Sequence, residues 1–363
     1  MPGLRAIPLL VAASLAASGP AAAKQFVVSS AGNKPSVALD AAATAHVVWD
    51  SVAADNTSTT HYCRVARNAT GCLAGSERSF SPVAGDQDFG GPRVYVSGST
   101  VTIAMSRCCT TTDAPDGQSY GTSTWVTTST DGGANFSAPA WIGTQVPDLG
   151  ATLARGSFFA LGVAGDGSAL QLQASPLTAF AGPPNAISTK TANSGGIGTS
   201  PKGDVVAFAD AKNNVFAGKL VGDANSAKVA FKSLGKGSDV VVTAGPSGVD
   251  VFYKTTGRKA RYIVRRYKGG KAGKISAISE TGFPIFGAAF QDPTGHVHAV
   301  WQGDRGLTYR RSGKTGGGFA KPRVLSRKAV FYNLVISANA RSKATVVYDS
   351  NGFAGKVGGF TVG

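Results

Sequence analysis

A strand-turn-strand pattern recurs along this chain and limits the folds that it can adopt. Each close copy has a strand-like segment, a polar turn at an Asp or Asn, and a second strand-like segment that ends in an aromatic residue nine positions later. Close copies occupy residues 37–50, 289–302 and 336–349, and a looser copy occupies residues 241–253. Repetition of this kind indicates an architecture assembled from one supersecondary unit.

The repeating unit is longer than two strands, because a second segment also recurs. Residues 312–322 match residues 129–139 position for position, except that Lys314 replaces Asp131. The second strands are expected to end at or near Trp49, Met105, Leu172, Phe208, Tyr253, Trp301 and Tyr348. Their mean spacing is about 50 residues, which is the length of a propeller blade of four strands.

These repeats predict an all-β protein, a β-propeller of four-stranded antiparallel blades. Seven blades are the first choice. Six are the alternative because residues 150–195 are irregular and rich in Pro and Gly, and a β-sandwich assembly is the fallback. Composition agrees with an all-β chain, since Glu and Leu are scarce, 48 residues are Gly, and no segment keeps the apolar periodicity of a helix.

The two ends of the chain are predicted to meet in one blade. The final unit, from about Leu334, has room for only three strands, and Gln25–Ser29 is a strand-like segment that can supply the fourth. Pairing them would remove an exposed sheet edge. We therefore expect residues 24–363 to form one monomeric propeller domain that is closed by its N-terminal strand.

The first 23 residues have the features of a secretory signal peptide. Arg5 precedes an apolar run, Ile7 to Ala17, and three alanines at 21–23 supply the small residues of a cleavage site. The run is shorter than the roughly 20 apolar residues that a membrane span requires. Cleavage after Ala23 would release a secreted protein, and no later segment is long and apolar enough to span a membrane.

Four cysteines suit an oxidising compartment. Cys63 and Cys72 flank a turn-like segment, whereas Cys108 and Cys109 are adjacent. Four cysteines allow three pairings, of which Cys63–Cys72 with Cys108–Cys109 is the first choice and a cross-pairing of neighbouring loops is the rival. No Cys-x-x-Cys spacing or nearby histidine favours a metal site, so we expect no metal and no cofactor.

One turn specifies its own backbone. In Ser129-Thr-Asp131-Gly-Gly133-Ala-Asn-Phe136, the Asp131 carboxylate can accept backbone N–H groups, Gly133 can take a positive φ, and Phe136 can fold back onto the hairpin. The segment resembles the Asp box, Ser-x-Asp-x-Gly-x-x-(Trp/Phe), of sialidase-like β-propellers. The resemblance implies a position on a hairpin between the two outer strands of a blade, on the face away from the ligand.

A ligand is therefore expected on the other face. The connections at residues 50–60 and 107–123 are the longest in the chain, and long loops on a rigid scaffold are common binding sites. The connection at residues 85–93 and the strand ends of the last two units deliver further polar groups to that face. The candidate ligand-binding residues are Asp50, Asp86, Asp88, Arg93, Arg107, Gln302, Asp304, Arg305 and Asp349.

The resemblance also implies a test for catalysis. Sialidases need an arginine clamp for the substrate carboxylate, a Tyr nucleophile activated by a Glu, and an acid/base Asp. In this sequence the candidates are Tyr348, Glu280 and Asp88, with Arg93, Arg107 and Arg305 as the clamp. The chain has only two glutamates and lacks the family's Arg-Ile-Pro motif. We therefore expect a non-catalytic glycan-binding propeller, with a sialidase-like hydrolase as the alternative.

Basic residues are concentrated in the second half of the chain. Residues 1–181 hold 9 Lys/Arg and 11 Asp/Glu, whereas residues 182–363 hold 27 and 9, so the two halves carry −2 and +18. This asymmetry, centred on Lys254–Lys274 and Arg305–Lys328, favours a polyanionic partner such as an acidic glycan or cell-surface polymer. No nucleic-acid-binding motif accompanies the charge. A solvated surface and a protein–protein scaffold are the other interpretations.

Overall fold

The computed structural model describes residues 23–82, 86–88, 90–113, 116–222, 226–268, 270–282, 284–313, 318–327, 331–351 and 355–363, without the side chains of Asp88 and residues 110–113. Nearly all of the predicted signal peptide and Lys314 lie outside these residues. The described chain is all β and has no α-helix. It therefore contains no helix that is long and apolar enough to cross a bilayer.

Antiparallel strands follow one another along the whole chain. In the first half they are β1 (Lys24–Leu39), β2 (Ala45–Val52), β3 (Ser58–Val65), β4 (Arg78–Phe80), β5 (Gln87–Asp88), β6 (Arg93–Ser97), β7 (Thr100–Asp113), β8 (Ser119–Ser129), β9 (Ala140–Gly143), β10 (Gly150–Ala154), β11 (Ser157–Val163), β12 (Leu170–Pro176) and β13 (Asn185–Ser188). In the second half they are β14 (Ser194–Gly198), β15 (Val205–Ala209), β16 (Asn214–Val221), β17 (Lys228–Val229), β18 (Lys232–Gly245), β19 (Gly248–Thr255), β20 (Tyr262–Lys268), β21 (Lys271–Ala277), β22 (Gly287–Gln291), β23 (Val297–Gly303), β24 (Gly306–Arg311), β25 (Arg323–Ser326), β26 (Tyr332–Ala338), β27 (Ala344–Asp349) and β28 (Gly355–Val362).

Consecutive strands pair into antiparallel sheets built on groups of four. The order β10-β11-β12-β13 forms one sheet and β22-β23-β24-β25 forms another. A third sheet contains β6-β7-β8-β9, with β5 beside the far end of β7. The two remaining sheets are larger, with the orders β26-β27-β28-β1-β2-β3-β4 and β14-β15-β16-β18-β19-β20-β21.

Each larger sheet contains one long strand that belongs to two groups of four. Residues 24–32 of β1 pair with β28, whereas residues 33–39 pair with β2. In the same way, residues 232–236 of β18 pair with β16, and residues 237–245 pair with β19. The register is irregular where each strand changes partner, which lets one strand serve two sheet surfaces that face different ways.

The segment at 150–195, which the sequence suggested to be irregular, contains a regular group of four strands. Its second strand is β11, so the expected strand end at Leu172 is wrong, because Leu172 lies in β12. The error has a physical cause. Phe158, Phe159, Ala160 and Leu161 are all buried, so β11 has neither the apolar-polar alternation of a half-exposed strand nor a terminal aromatic residue.

The core lies between neighbouring sheets. Val48 and Tyr62 of one group pack against Val94, Ile103 and Met105 of the next. The aromatic residues at the strand ends belong to such layers: Trp49, Tyr253, Trp301 and Tyr348 are all buried. They are packing residues between sheets.

The Asp-box turn adopts the predicted backbone. The Asp131 Oδ1 atom accepts the N–H groups of Ala134 at 3.0 Å and Asn135 at 2.9 Å, and Gly133 has a φ of 83°. Phe136 packs against a core cluster that contains residues of its own group and of the preceding one. It packs edge-on against Tyr62 and Phe80 of the preceding group, so this turn joins two sheets.

Both disulfides of the first-choice pairing are present. Cys63 is joined to Cys72 and Cys108 to Cys109, and no described cysteine is free. The second bridge lies in β7, whose pairing with β8 continues to Thr112 opposite Tyr120. The predicted long loop at 107–123 is therefore largely an extension of the β7–β8 hairpin.

One strand from each group of four lines a shared cavity of about 1000 Å³. The lining strands are β1, β6, β10, β14, β18, β22 and β26. The cavity-lining parts of these strands run in the same direction. Their starts lie together at one end of the cavity, and their ends lie together at the other. Near their starts, Val240 N donates to Ser194 Oγ at 3.0 Å, and near their ends, Leu39 N donates to Ser337 Oγ at 3.2 Å.

Candidate functional site at the cavity mouth

The candidate site lies at the end of this cavity where the lining strands begin, which we call the mouth. Lys34, Arg93, Asp148 and Asn333 line the cavity there. Each stands at, or just before, the start of the cavity-lining part of its strand. Gly91, with a φ of 76°, allows its segment to lie against Lys34, since a Cβ at position 91 would be 2.7 Å from Lys34 Cβ. The mouth therefore gathers polar side chains from segments that are far apart in sequence.

Arg93 is a cation at the mouth that forms no ion pair with any described side chain. It is half-buried at the start of β6, where its backbone pairs with Ala104. Its Nη1 donates to the carbonyl of Pro92 at 3.2 Å, and within the described residues its guanidinium makes no ion pair. A guanidinium has five N–H donors, so most of them remain available to an anion.

Asp148 is a carboxyl group at the same mouth that keeps an exposed side chain, and sequence reasoning missed it. Partial desolvation by the surrounding residues raises the pKa of its carboxyl group, against hydrogen bonds from the N–H groups of Leu149 and Val163 that lower it. Gly162 makes room for this side chain, because a Cβ there would lie 2.4 Å from Asp148 Oδ1. A signal was present in the sequence: like Arg93, Asp148 comes at the end of a connection that leads into a cavity-lining strand.

Asp349 fixes two of the lining residues. It is fully buried at the end of β27, and its Oδ2 accepts Asn333 Nδ2 at 2.6 Å and the backbone N–H of Lys34 at 3.3 Å. Residue 34 belongs to β1 and residue 333 to β26, so one carboxylate ties the mouth ends of two neighbouring lining strands. This predicted ligand residue positions the residues that line the mouth.

Asp50 and Arg107 lie together in a buried pair. Arg107 Nη2 donates to Thr60 Oγ1 at 2.7 Å and lies 3.6 Å from Asp50 Oδ1, and Thr60 donates in turn to Asp50. Both charged side chains are fully buried. Asp86 is buried as well, and its carbonyl accepts the N–H of Ser58 at 3.0 Å. In this structure these side chains have no surface on which to meet a ligand.

Glu280 and Arg305 form a second predicted pair, this time on the surface. Glu280 Oε1 lies 3.2 Å from Arg305 Nη1, and both side chains are more than half exposed. Asp304 beside them is exposed, whereas Gln302 is buried. An exposed pair of this kind contributes at most about 1 kcal/mol to stability.

Tyr348 lies apart from Glu280. Its hydroxyl accepts Gln25 Nε2 at 2.8 Å, and its ring packs on Phe331 and Phe360. Burial raises the pKa of its hydroxyl group, the direction opposite to the one that favours a phenolate nucleophile. For Asp88 the structure gives only the backbone, which pairs with Arg107.

The described residues contain no group of three or more His, Cys, Asp or Glu arranged to hold a metal ion. His296 Nδ1 lies 2.8 Å from Thr294 Oγ1 and 3.4 Å from Asp292 Oδ2. The mouth therefore offers the guanidinium of Arg93, the ammonium group of Lys34, the carboxyl group of Asp148 with its raised pKa, and the amide of Asn333.

Comparisons with known proteins identify the architecture. No protein-family model matches the sequence, and a search of curated proteins gives no match. Solved structures do match: the Hadza microbial sialidase Hz136 has a TM-score of 0.50 and 10% identity over 92% of this chain and 66% of its own. The NanB sialidase from Streptococcus pneumoniae has a TM-score of 0.52 and 8% identity over 95% of this chain and 69% of its own.

The chain has a sialidase-like β-propeller fold. At 8 to 10% identity the likeness describes the fold alone, and this sialidase-like propeller spans about two thirds of each of those two chains. Its Asp-box turn lies at the end away from the mouth, because Gly132 N donates at 2.8 Å to Ser99 in the turn that follows the lining strand β6. The turn connects β8 and β9, the two outer strands of its group, as the resemblance implied.

Proposed function

We propose that this protein is an exported glycan-binding propeller, and that the mouth of its cavity binds the carboxylate of an acidic sugar through Arg93. The observation that carries the proposal is the half-buried guanidinium of Arg93, which lines the cavity with no described carboxylate as its partner. An arginine fork matches the two oxygens of a carboxylate, and partial burial strengthens the contact.

The fold supports a glycan as the ligand class. Both solved proteins described above are named sialidases. The cavity is concave and lined by small and apolar residues with a few polar groups, as small-molecule sites usually are. Asn333 and Lys34 stand beside Arg93 in the lining, and their positions are held by Asp349.

A sialidase-like hydrolase is the second candidate, and one observation favours it. The raised pKa of Asp148 at the mouth suits a general acid, which must hold its proton until the glycosidic oxygen receives it. In this version Asp148 takes the acid role that the sequence gave to Asp88. The nucleophile and its partner, predicted as Tyr348 and Glu280, stay a prediction.

Binding of N-acetylneuraminic acid, measured by calorimetric titration, tests the main proposal. Arg93→Ala should weaken binding by about tenfold or more, since a hydrogen bond to a charged group contributes about 1.5–3 kcal/mol. Arg258→Ala, which removes an exposed cation elsewhere, is the matched control. Equal affinity of the Arg93→Ala variant and the parent would overturn the proposal.

Turnover of an aryl sialoside distinguishes the two candidates. Under the binding proposal the parent releases no phenol at any pH. Under the hydrolase alternative it does, and Asp148→Asn abolishes release while sialic acid binding persists. Release that is unaffected by Asp148→Asn would remove Asp148 from the acid role.

We also infer the closed form of the fold. Seven lining strands surround one cavity, and each begins or adjoins a group of four antiparallel strands, which supports seven blades over six. The first part of β1 supplies the outer strand beside β28, so the N-terminal strand closes the ring.

We further infer export of the protein and a single domain. Two disulfides suit export after cleavage at Ala23, and residues 24–363 form one monomeric domain.

A further inference from the structure

A second cavity lies at the end opposite the mouth, between the β24–β25 hairpin and the end of β28. It has a volume of about 270 Å³, and we call it the basic cleft. Four of its lining residues are cationic, namely Arg310, Arg311, Lys321 and Arg323, and none of its lining residues is Asp or Glu. All four lie in the basic segment Arg305–Lys328, for which the sequence predicts a polyanionic partner, and the mouth site does not use them.

Strand pairing directs several of these side chains to the same side. Tyr309 stands opposite Arg323 in the β24–β25 pair, and Arg311 follows Tyr309 by two residues on one strand. Residues two apart on a strand, and directly opposed residues, share a face of the sheet. Burial raises the pKa of Tyr309 to about 12, although the positive charges of Arg311 and Arg323 act to lower it. The charges of both guanidinium groups therefore act on the tyrosine hydroxyl.

The cations of the cleft differ in how firmly they are held. Arg310 is fixed, because it donates to the carbonyls of Ala320 at 2.7 Å, Ile278 at 2.6 Å and Phe319 at 3.3 Å. Arg311 and Lys321 are exposed, and no ion pair of the described residues involves them. These two side chains are the ones that can turn toward a ligand.

Two acidic side chains outside the lining act on residues of the cleft, namely Asp292 on Tyr309 and Glu280 on Arg310. Asp292 is fully buried behind Tyr309, and its Oδ2 lies 3.0 Å from His298 Nε2 and accepts Ser342 Oγ at 2.9 Å. At the rim, Arg67 of a neighbouring hairpin donates to a main-chain oxygen of Gly363, so its guanidinium is already engaged. The side chains that line the cleft carry four positive charges and no negative one.

We propose that the basic cleft binds an anionic group of a polyanionic polysaccharide, with Arg311 and Lys321 as its contact residues. The proposal stands independently of the mouth, because the two sites lie at opposite ends of the lining strands. A polysaccharide is favoured over a single-stranded nucleic acid, because the one aromatic residue in the lining is buried and offers no ring on which a base could stack. Sulfate and carboxylate groups share the chemistry that two such cations recognise.

Titration with dextran sulfate, polygalacturonate and uncharged dextran tests this proposal. The double variant Arg311→Ala, Lys321→Ala should bind the preferred charged polymer about tenfold more weakly than the parent, since exposed charge contacts contribute up to about 1 kcal/mol each. Lys271→Ala, Lys274→Ala is the matched control, because it removes the same charge from an exposed strand outside the cleft. This control should change the Kd less than twofold.

The outcomes are distinct. Preference for dextran sulfate identifies a sulfate ester as the bound group, and preference for polygalacturonate identifies a carboxylate; either supports the proposal. Equal losses in the cleft variant and the control would overturn it, because the binding would follow total charge. Equal binding of uncharged dextran, or stronger binding of single-stranded DNA with the same dependence on Arg311 and Lys321, would overturn it too. Binding of sialic acid at the mouth should be unchanged in the cleft variant, so a failure of one proposal leaves the other testable.

Discussion

His46 and His298 make the same hydrogen bond in two parts of the chain that are about 250 residues apart. Nδ1 of His46 lies 2.8 Å from the hydroxyl of Tyr62, and Nδ1 of His298 lies 2.8 Å from the hydroxyl of Tyr309. In both cases the tyrosine stands on the next strand, opposite the residue two positions after the histidine. The sequence repeat thus preserves a buried polar contact as well as a pattern of strands.

Removing either tyrosine hydroxyl should destabilise the protein. In Tyr62→Phe and Tyr309→Phe, a buried imidazole nitrogen loses its partner, and we expect the free energy of unfolding to fall by about 1–3 kcal/mol in each. Urea denaturation measures the change. Tyr120→Phe is the control, because that hydroxyl is bonded to Asp116 near the surface. Equal stability of all three variants would mean that the two buried contacts contribute nothing.

The histidines also predict a loss of stability in mild acid. Burial lowers the pKa of His46, against the raising effect of Asp40, so the folded state binds its proton less readily than the unfolded state does. The stabilisation is present above the unfolded value of about 6.5 and is lost as the pH falls below it. We expect the melting temperature of the parent to drop between pH 7.5 and 5.5 by more than that of His46→Gln. An equal drop in both proteins would show that His46 does not titrate in this way.

Asp131 predicts a second, more acidic transition. Hydrogen bonds from Ser129 and from Asn135 hold the pKa of its carboxyl group well below the ordinary value, so its contribution is present above the unfolded pKa of about 3.9 and disappears as the pH falls further. Asp131→Asn should therefore lower the melting temperature at pH 7 and have a smaller effect at pH 3. Differential scanning calorimetry at the two pH values checks this. A constant difference between variant and parent would contradict it.

Two neighbouring cations on β20 should respond very differently to substitution. Arg266 donates to both oxygens of the buried Asp250, at 2.9 and 2.6 Å, whereas Lys268 is exposed. Arg266→Ala leaves a buried carboxylate without its cation and should cost about 3 kcal/mol of folding free energy. Lys268→Ala should change stability by less than about 0.5 kcal/mol. Chemical denaturation of both variants tests the contrast. A loss of stability in Arg266→Ala as small as that in Lys268→Ala would mean that another group compensates the charge of Asp250.

The ion pair between Arg266 and Asp250 limits which basic residues can be substituted to test for binding of a polyanion. Neutralising Arg265, Arg266 and Lys268 together, the natural choice from the sequence, would remove structural contacts along with surface charge. Arg265 Nη1 donates to the carbonyl of Leu234 at 2.8 Å, and Arg266 is paired as described. Substitution of exposed lysines removes surface charge without breaking such contacts, so it tests polyanion binding alone.

The first strand offers a test of ring closure. Phe26 is 1% exposed and packs among residues that include Val347 and Val357, whereas Val27 is half-buried. Phe26→Asp places a charge in that core and should cost more than about 3 kcal/mol, with a much smaller loss for Val27→Asp. Thermal unfolding compares the two. Deleting residues 24–30 should lower the melting temperature and promote aggregation, and an unchanged melting temperature would mean that the ring closes in another way.

Local patterns in the sequence predicted most of the fold. The Asp-box turn, the aromatic strand ends and the disulfides depend on residues close together in the chain, and each follows from short spacings. The mouth could not be predicted in this way. Lys34, Arg93, Asp148 and Asn333 come from four distant segments, and nothing local to Asp148 shows that it lines a cavity with the other three. The burial of Arg107 could not be predicted for the same reason. Its surroundings in the sequence resemble a loop, and they give no sign that an extended hairpin buries it against Asp50.

The pairing of β1 with β28 limits the order in which the strands of this protein can pair. Gln25 and Tyr348, which hydrogen-bond to each other, are 323 residues apart, and β28 follows Tyr348 in the chain. During synthesis β1 is made long before β28, the strand that it pairs with. Phe26 therefore cannot pair with Gly359 until the strands between them have been synthesised. Pairing of β1 with β28 thus depends on the presence of every strand between the two.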